Sequence, residues 1–146
     1  VVFYVGSNET IYRVGGVIMN PETRYTNRFR EYAKRHYPKV MMTKHSDRFN
    51  HGIADLTVGI PTGGLPVVFP VEVKYLSCVV KSKRKIPLKD SQQEYLLKWA
   101  EIGAANFVLV GTKGGSALYS MADYDGYIYA VDIREDRVTW ENLLRT

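Results

Sequence analysis

Apolar and polar positions change period several times along the chain, and each change predicts an element. Residues 2–5 and 10–19 are rich in Val, Ile and Tyr, with Gly6-Ser7-Asn8 and Gly15-Gly16 as turn signals, which predicts a short β-rich opening. Asn20-Pro21-Glu22 then supplies a capping side chain, a proline for the first helical position and an acid for the first turn. Tyr25, Thr26, Phe29, Tyr32, Ala33 and His36 recur at steps of three and four, one face of a helix that Pro38 ends. Residues 53–60 and 67–76 read as strands on either side of a Pro61-Thr62-Gly63-Gly64-Leu65-Pro66 turn. A second helix is predicted over 90–102, with Leu88, Tyr95, Leu96, Trp99 and Ile102 as its apolar line and Gly103 closing it. Asn106 to Gly111 is a short apolar strand. Residues 117–121 and 127–133 predict two more around Asp123-Tyr124-Asp125-Gly126, and a short helix runs from Trp140 to Leu144. That order predicts a mixed α/β fold, a central mixed sheet flanked by helices.

Composition narrows the class. The 146 residues, 45% hydrophobic and 24% charged, suit a single globular domain over 1–146. No apolar run is long enough to span a bilayer, and Val1-Val2-Phe3-Tyr4-Val5 turns polar too soon for a signal sequence. Cys78 is the sole cysteine, which rules out an internal disulfide and a thiolate zinc cluster. The expected location is therefore intracellular, cytoplasmic or nucleoid-associated. Twenty Lys and Arg against fifteen Asp and Glu leave a net charge of +5, which favours a polyanionic partner. Lys81, Lys83, Arg84 and Lys85 form one basic run, read as a loop; Arg24, Arg28, Arg30, Lys34 and Arg35 crowd another segment.

The candidate chemistry lies where polar residues interrupt apolar faces. Asp55 sits in the first strand of the 53–76 hairpin; Glu72 and Lys74, two apart in the second, share a face. With the turn centred on Gly63-Gly64, paired positions sum to 127, so Asp55 falls across from Glu72 with Cβ atoms about 5 Å apart. Two facing carboxylates repel, and compensation comes from Lys74, from a bound cation, or from both; hard oxygen donors suit Mg²⁺ or Mn²⁺. The competing reading is a solvent-facing salt-bridge cluster on an edge strand. Glu22 lies seven residues before Phe29 and so on the apolar face of its helix, whereas Glu31 projects away. Gln92 likewise heads the face of Tyr95, Leu96 and Trp99. His45 and His51 have no metal-ligand spacing and read as loop histidines, and no aromatic motif of a single-strand-binding sheet is present.

Gly52-Ile53-Ala54-Asp55, Glu72-Val73-Lys74 and the Leu88 to Gln92 helix start together resemble the PD-(D/E)xK nuclease superfamily, most of all its VRR-NUC and Holliday junction resolvase-like members. The resemblance covers about residues 20–112, leaving strands in 1–19 and a hairpin and helix in 113–146 outside it. It implies a restriction-endonuclease-like core with a four-stranded mixed sheet and the site at one edge. Position by position it implies Asp55 and Glu72 as metal-binding acids, Lys74 as catalytic lysine, Gln92 as the helix glutamine and Glu22 as the first-helix acid. Ala54 departs from the usual proline. The implied activity is Mg²⁺- or Mn²⁺-dependent endonucleolytic hydrolysis of DNA, on branched structures such as Holliday junctions. Asp55, Glu72, the Val73 carbonyl and Glu22 are the candidate metal ligands; Lys74 and Gln92 orient the attacking water. Lys81, Lys83, Arg84 and Lys85 are candidate phosphate contacts. A branched substrate implies a homodimer, with residues 1–19 and 112–146 as candidate interface. Two alternatives stand: the same chemistry on single strands, flaps or RNA, and a non-catalytic nucleic-acid-binding module.

Overall fold

The elements run in the order β1 (Val2–Val5), β2 (Glu9–Val14), β3 (Val17–Met19), α1 (Pro21–His36), β4 (Met41–Lys44), β5 (Leu56–Ile60), β6 (Val67–Leu76), β7 (Lys83–Lys85), α2 (Asp90–Glu101), β8 (Phe107–Thr112), β9 (Gly115–Tyr119), β10 (Tyr127–Tyr129), a 3₁₀ turn (Ala130–Asp132) and α3 (Asp136–Leu144). They belong to a computed structural model that describes residues 2–5, 9–14, 17–45 and 52–146. The turn signals Gly6-Ser7-Asn8 and Gly15-Gly16, and His51, lie outside the described residues. No described helix is long and apolar enough to cross a membrane.

α1 begins as its sequence dictates. The Asn20 Oδ1 accepts from the Thr23 N–H at 2.8 Å, Pro21 occupies the first turn, and Lys34, Arg35 and His36 face the negative end of the helix dipole. Tyr25, Thr26, Phe29 and Ala33 are buried against the sheet, while His36, the last residue of that stripe, is exposed.

The central sheet has the order β4-β5-β6-β8-β9, five strands where the resemblance implies four. Every pairing is antiparallel except β6 with β8, which is parallel because β7 and α2 carry the chain back across the sheet. β1-β2-β3 form a separate antiparallel sheet, and β10 pairs with β7 in a two-stranded one. In the β5–β6 hairpin Leu56 faces Val71 and Ile60 faces Val67, the register expected from the Gly63-Gly64 turn. Gly63 supplies the positive φ (82°) that the turn requires.

Two apolar layers cover the sheet. On one face Val71 and Val73 pack with Tyr25, Phe29, Trp140 and Leu143 under α1 and α3. On the other, Val108 and Val110 pack with Leu96 of α2, Ile86, Ile128 and Ala54. Glu72 pairs with Val108 and Lys74 with Val110, so both polar residues enter this second layer. α1 approaches the sheet closely because Gly111 has no side chain: a Cβ there would lie 2.4 Å from the Tyr25 ring. A buried polar chain then ties the first layer together. The Trp140 Nε1–H donates to the Tyr25 hydroxyl at 3.0 Å, that hydroxyl lies 2.6 Å from the Ser116 Oγ, and Ser116 donates to Asp136.

Several boundaries differ from the sequence expectation. β4 was not anticipated: Met41 is 74% exposed, so this edge strand shows no buried alternation to read. β5 starts at Leu56 rather than 53. The Lys83–Lys85 segment, expected as part of a loop, is a strand because a partner more than forty residues away supplies its ladder. β10 ends at Tyr129 and passes into a 3₁₀ turn instead of continuing to 133, and α3 starts at Asp136 instead of 140. Ile102, expected in the apolar line of the second helix, follows its last turn and is exposed; Leu96 is its one fully buried residue.

Candidate active site

Asp55 immediately precedes β5. Its carbonyl accepts from the His45 N–H at 2.8 Å, which holds it beside β4. Its Oδ2 accepts from the Val73 N–H at 3.0 Å. The side chain thus satisfies a main-chain donor of β6 just beyond the Leu56–Val71 pair, where the β5 ladder stops. That bond pins the carboxylate beside Glu72.

Glu72 is 1% exposed and Lys74 8%, on a strand flanked by β5 and β8. This disposes of the solvent-facing edge cluster. Glu72 Oε1 accepts from the Gln92 Nε2–H at 3.0 Å and lies 3.7 Å from the Lys74 ammonium. The Gln92 Oε1 in turn accepts from the Lys89 N–H at 3.0 Å, at the start of α2. The helix terminus therefore fixes which end of the amide faces Glu72: its carbonyl is taken by the backbone, leaving the NH₂ for the carboxylate. The other oxygen, Oε2, is buried with no donor. Burial first, then the neighbouring Asp55 carboxylate, push the Glu72 carboxyl up to about 9, against the opposing pull of Lys74. An oxygen so placed is met either by a proton shared with Asp55 or by a cation.

Glu22 reaches the same region from the first turn of α1. Burial raises its carboxyl, Lys74 opposes that shift, Asp55 adds to it, and the Tyr75 N–H donates to it. Among the described residues no group of three or more His, Cys, Asp or Glu side chains is placed to hold a metal by itself, so a closed three-acid shell of Glu22, Asp55 and Glu72 does not form here. The fit to a divalent cation rests on a smaller donor set. Mg²⁺ is commonly bound by one or two carboxylates with water completing the octahedron, and Glu72, with its donorless Oε2, and the neighbouring Asp55 supply such a pair.

His45 Nε2 lies 2.7 Å from the Thr57 Oγ1, a contact that joins the end of β4 to β5. Ala54, where the resemblance expects proline, is 2% exposed and packs in the layer beneath α2. Glu31 is exposed, as its helical position requires. Tyr127 and Tyr129 lie in the strand expected over 127–133; its pairing against Lys83–Lys85 was not anticipated.

No family model and no curated protein sequence matches the chain. Among solved structures it is similar to Hjc, a Holliday junction resolvase from the archaeal hyperthermophile Archaeoglobus fulgidus, with a TM-score of 0.54 and 13% identity. The fold is a resolvase-like nuclease fold. The match spans 80% of this chain and 98% of the resolvase, so it extends beyond the stretch that carries the motif residues. At this identity the likeness shows the fold alone. The PD-(D/E)xK and VRR-NUC likenesses rest on the motif residues alone.

Proposed function

We propose that this chain is a divalent-cation-dependent endonuclease that hydrolyses phosphodiester bonds in DNA, acting on branched structures such as Holliday junctions. One observation carries the reading. Asp55, Gln92 and Lys74, from three separate segments, converge on buried Glu72: Gln92 and Lys74 hold its Oε1, Asp55 lies beside it, and its Oε2 is buried without a donor. The resolvase-like fold supports the branched-DNA substrate.

Phosphodiester hydrolysis is limited by charge: the ester repels its nucleophile, and charge spreads further over the phosphoryl oxygens in the transition state. Asp55, Glu72 and the Val73 carbonyl would hold a Mg²⁺ or Mn²⁺ ion, which supplies Lewis acidity and a more acidic water. The Val73 N–H holds the Asp55 carboxylate in place and the Gln92 amide that of Glu72. Lys74, kept close to Glu72 and almost fully buried, orients the attacking water and offsets charge on the phosphate. Glu22 supports Lys74 from α1. Lys81, Lys83, Arg84 and Lys85 contact the phosphate backbone, and a homodimer would present two such sites to a junction.

The test is a panel of labelled four-way junctions, flaps, duplexes, single strands and RNA, incubated with Mg²⁺, Mn²⁺ or EDTA. Junction cleavage with either ion and none in EDTA is expected. Lys74→Ala should lower the cleavage rate by about 10²–10⁴-fold while junction binding persists. Cutting in EDTA, or undiminished cutting by Lys74→Ala, contradicts the reading. Tight binding with no cleavage under any condition makes the protein a binding module instead.

A further inference from the structure

The basic run is not one surface. In the ribbon of β7 and β10, Lys85 lies across from Tyr127 and Lys83 from Tyr129. Cross-strand partners share a face, so Lys83, Lys85, Tyr127 and Tyr129 occupy one side, and Arg84 and Ile128 the other. The Ile128 side is anchored: Ile128 and Ile86 are buried in the same apolar layer as Ala54 and Leu96, directly behind the Asp55 segment and α2. Bonds of 2.8 Å from the Ala130 N–H to the Ser82 carbonyl and from the Ile86 N–H to the Gly126 carbonyl extend the ladder at both ends. Its opposite side meets solvent. Lys83, Lys85 and Tyr127 are exposed, and the Lys83 ammonium sits 4.8 Å over the Tyr127 ring. Asp125 is the acid nearby; it accepts from the Tyr127 N–H at 3.0 Å and from the Tyr129 hydroxyl, fixing the turn into β10. Among the described residues Lys85 is in no ion pair.

We propose that this outer face grips an unpaired nucleic-acid strand, with Tyr127 stacking on a base and Lys83 and Lys85 holding the flanking phosphates. The inference rests on the nuclease reading above. Ammonium groups bind the backbone of any nucleic acid, but an aromatic face is useful only where a base face is available, and in a continuous duplex those faces are stacked on one another. Lys85 is four residues from Lys89, so at most about 14 Å of chain separates the ribbon from the Lys89 N–H that holds Gln92 at the edge of the site. That is about four nucleotides at a rise of roughly 3.4 Å. An unpaired strand beside a branch point reaches both.

Binding of the full chain is measured in EDTA by fluorescence anisotropy, with a single-stranded oligonucleotide, a four-way junction and a duplex. Tyr127→Ala should weaken single-strand binding about tenfold and leave duplex binding nearly unchanged, while Tyr127→Phe retains it. Joint replacement of Lys83 and Lys85 by Ala should flatten the salt dependence of single-strand binding by about 1.4, two phosphates at about 0.7 each. This second variant decides the matter if Tyr127→Ala does not fold. Equal losses on duplex and single strand, or an unchanged salt slope, overturn the grip. Cleavage with Mg²⁺, run in parallel, separates the two readings. A Tyr127→Ala protein that cuts and binds single strands like the wild type refutes the grip alone; a wild type that binds single strands as described but never cuts refutes the nuclease alone.

Discussion

At the scale of single residues, Glu72 is the most consequential side chain in the molecule. Its carboxyl titrates near 4.5 when exposed and about 9 in the folded protein. Between those values the native state holds a proton that the unfolded state has released. The Glu72 contribution to the stability of the ion-free protein is therefore fully present below about 4.5 and is lost as pH rises towards about 9. Denaturant midpoints measured in EDTA across that interval should decline, and Glu72→Gln, which keeps the shape without the titration, should flatten the decline. An unchanged slope in Glu72→Gln would place the proton elsewhere. The hairpin register was legible because a Gly-Gly turn sets it, and continuing it one pair past Leu56–Val71 brings Asp55 beside Glu72. Their burial was not legible. Whether a charged strand position faces solvent depends on β8 and α2, which reach it from more than fifteen residues downstream.

Among the elements, the packing of α1 on the sheet depends on the missing side chain at Gly111. A Cβ at that position would enter the Tyr25 ring, and Tyr25 cannot retreat because its hydroxyl is held by Trp140 and Ser116. Gly111→Ala should therefore destabilise the fold by about 1–3 kcal/mol, read from the shift in a denaturation midpoint. A midpoint unchanged by the substitution would mean that α1 can slide on the sheet. The helices were readable where a capping residue and an apolar stripe coincide, as at Asn20 and along Tyr25, Phe29 and Ala33. Two strands were not. β4 carries an exposed Met41 on a sheet edge, and Lys83–Lys85 reads as a solvated charge run until Tyr127–Tyr129 comes to pair with it. Both omissions have one cause: short strands take their identity from partners rather than from their own pattern.

Across the whole molecule, the order of helices and strands sufficed to predict a mixed sheet with helices on both faces, the architecture shared with the archaeal resolvase. The expected ligand set drew Glu22 in with Asp55 and Glu72; in the folded chain Glu22 lies near Lys74 and within electrostatic reach of both other acids. Two carboxylates and water suffice for Mg²⁺ or Mn²⁺, so the question is whether an ion resides between them. Crystals of the protein soaked in Mn²⁺ and measured near the manganese absorption edge answer it. The expected result is an anomalous peak within about 2.0–2.3 Å of an oxygen of Asp55 and of the Glu72 Oε2, absent from Glu72→Gln crystals. No peak at that position, or one equally strong without the Glu72 carboxylate, would contradict the cation-dependent site.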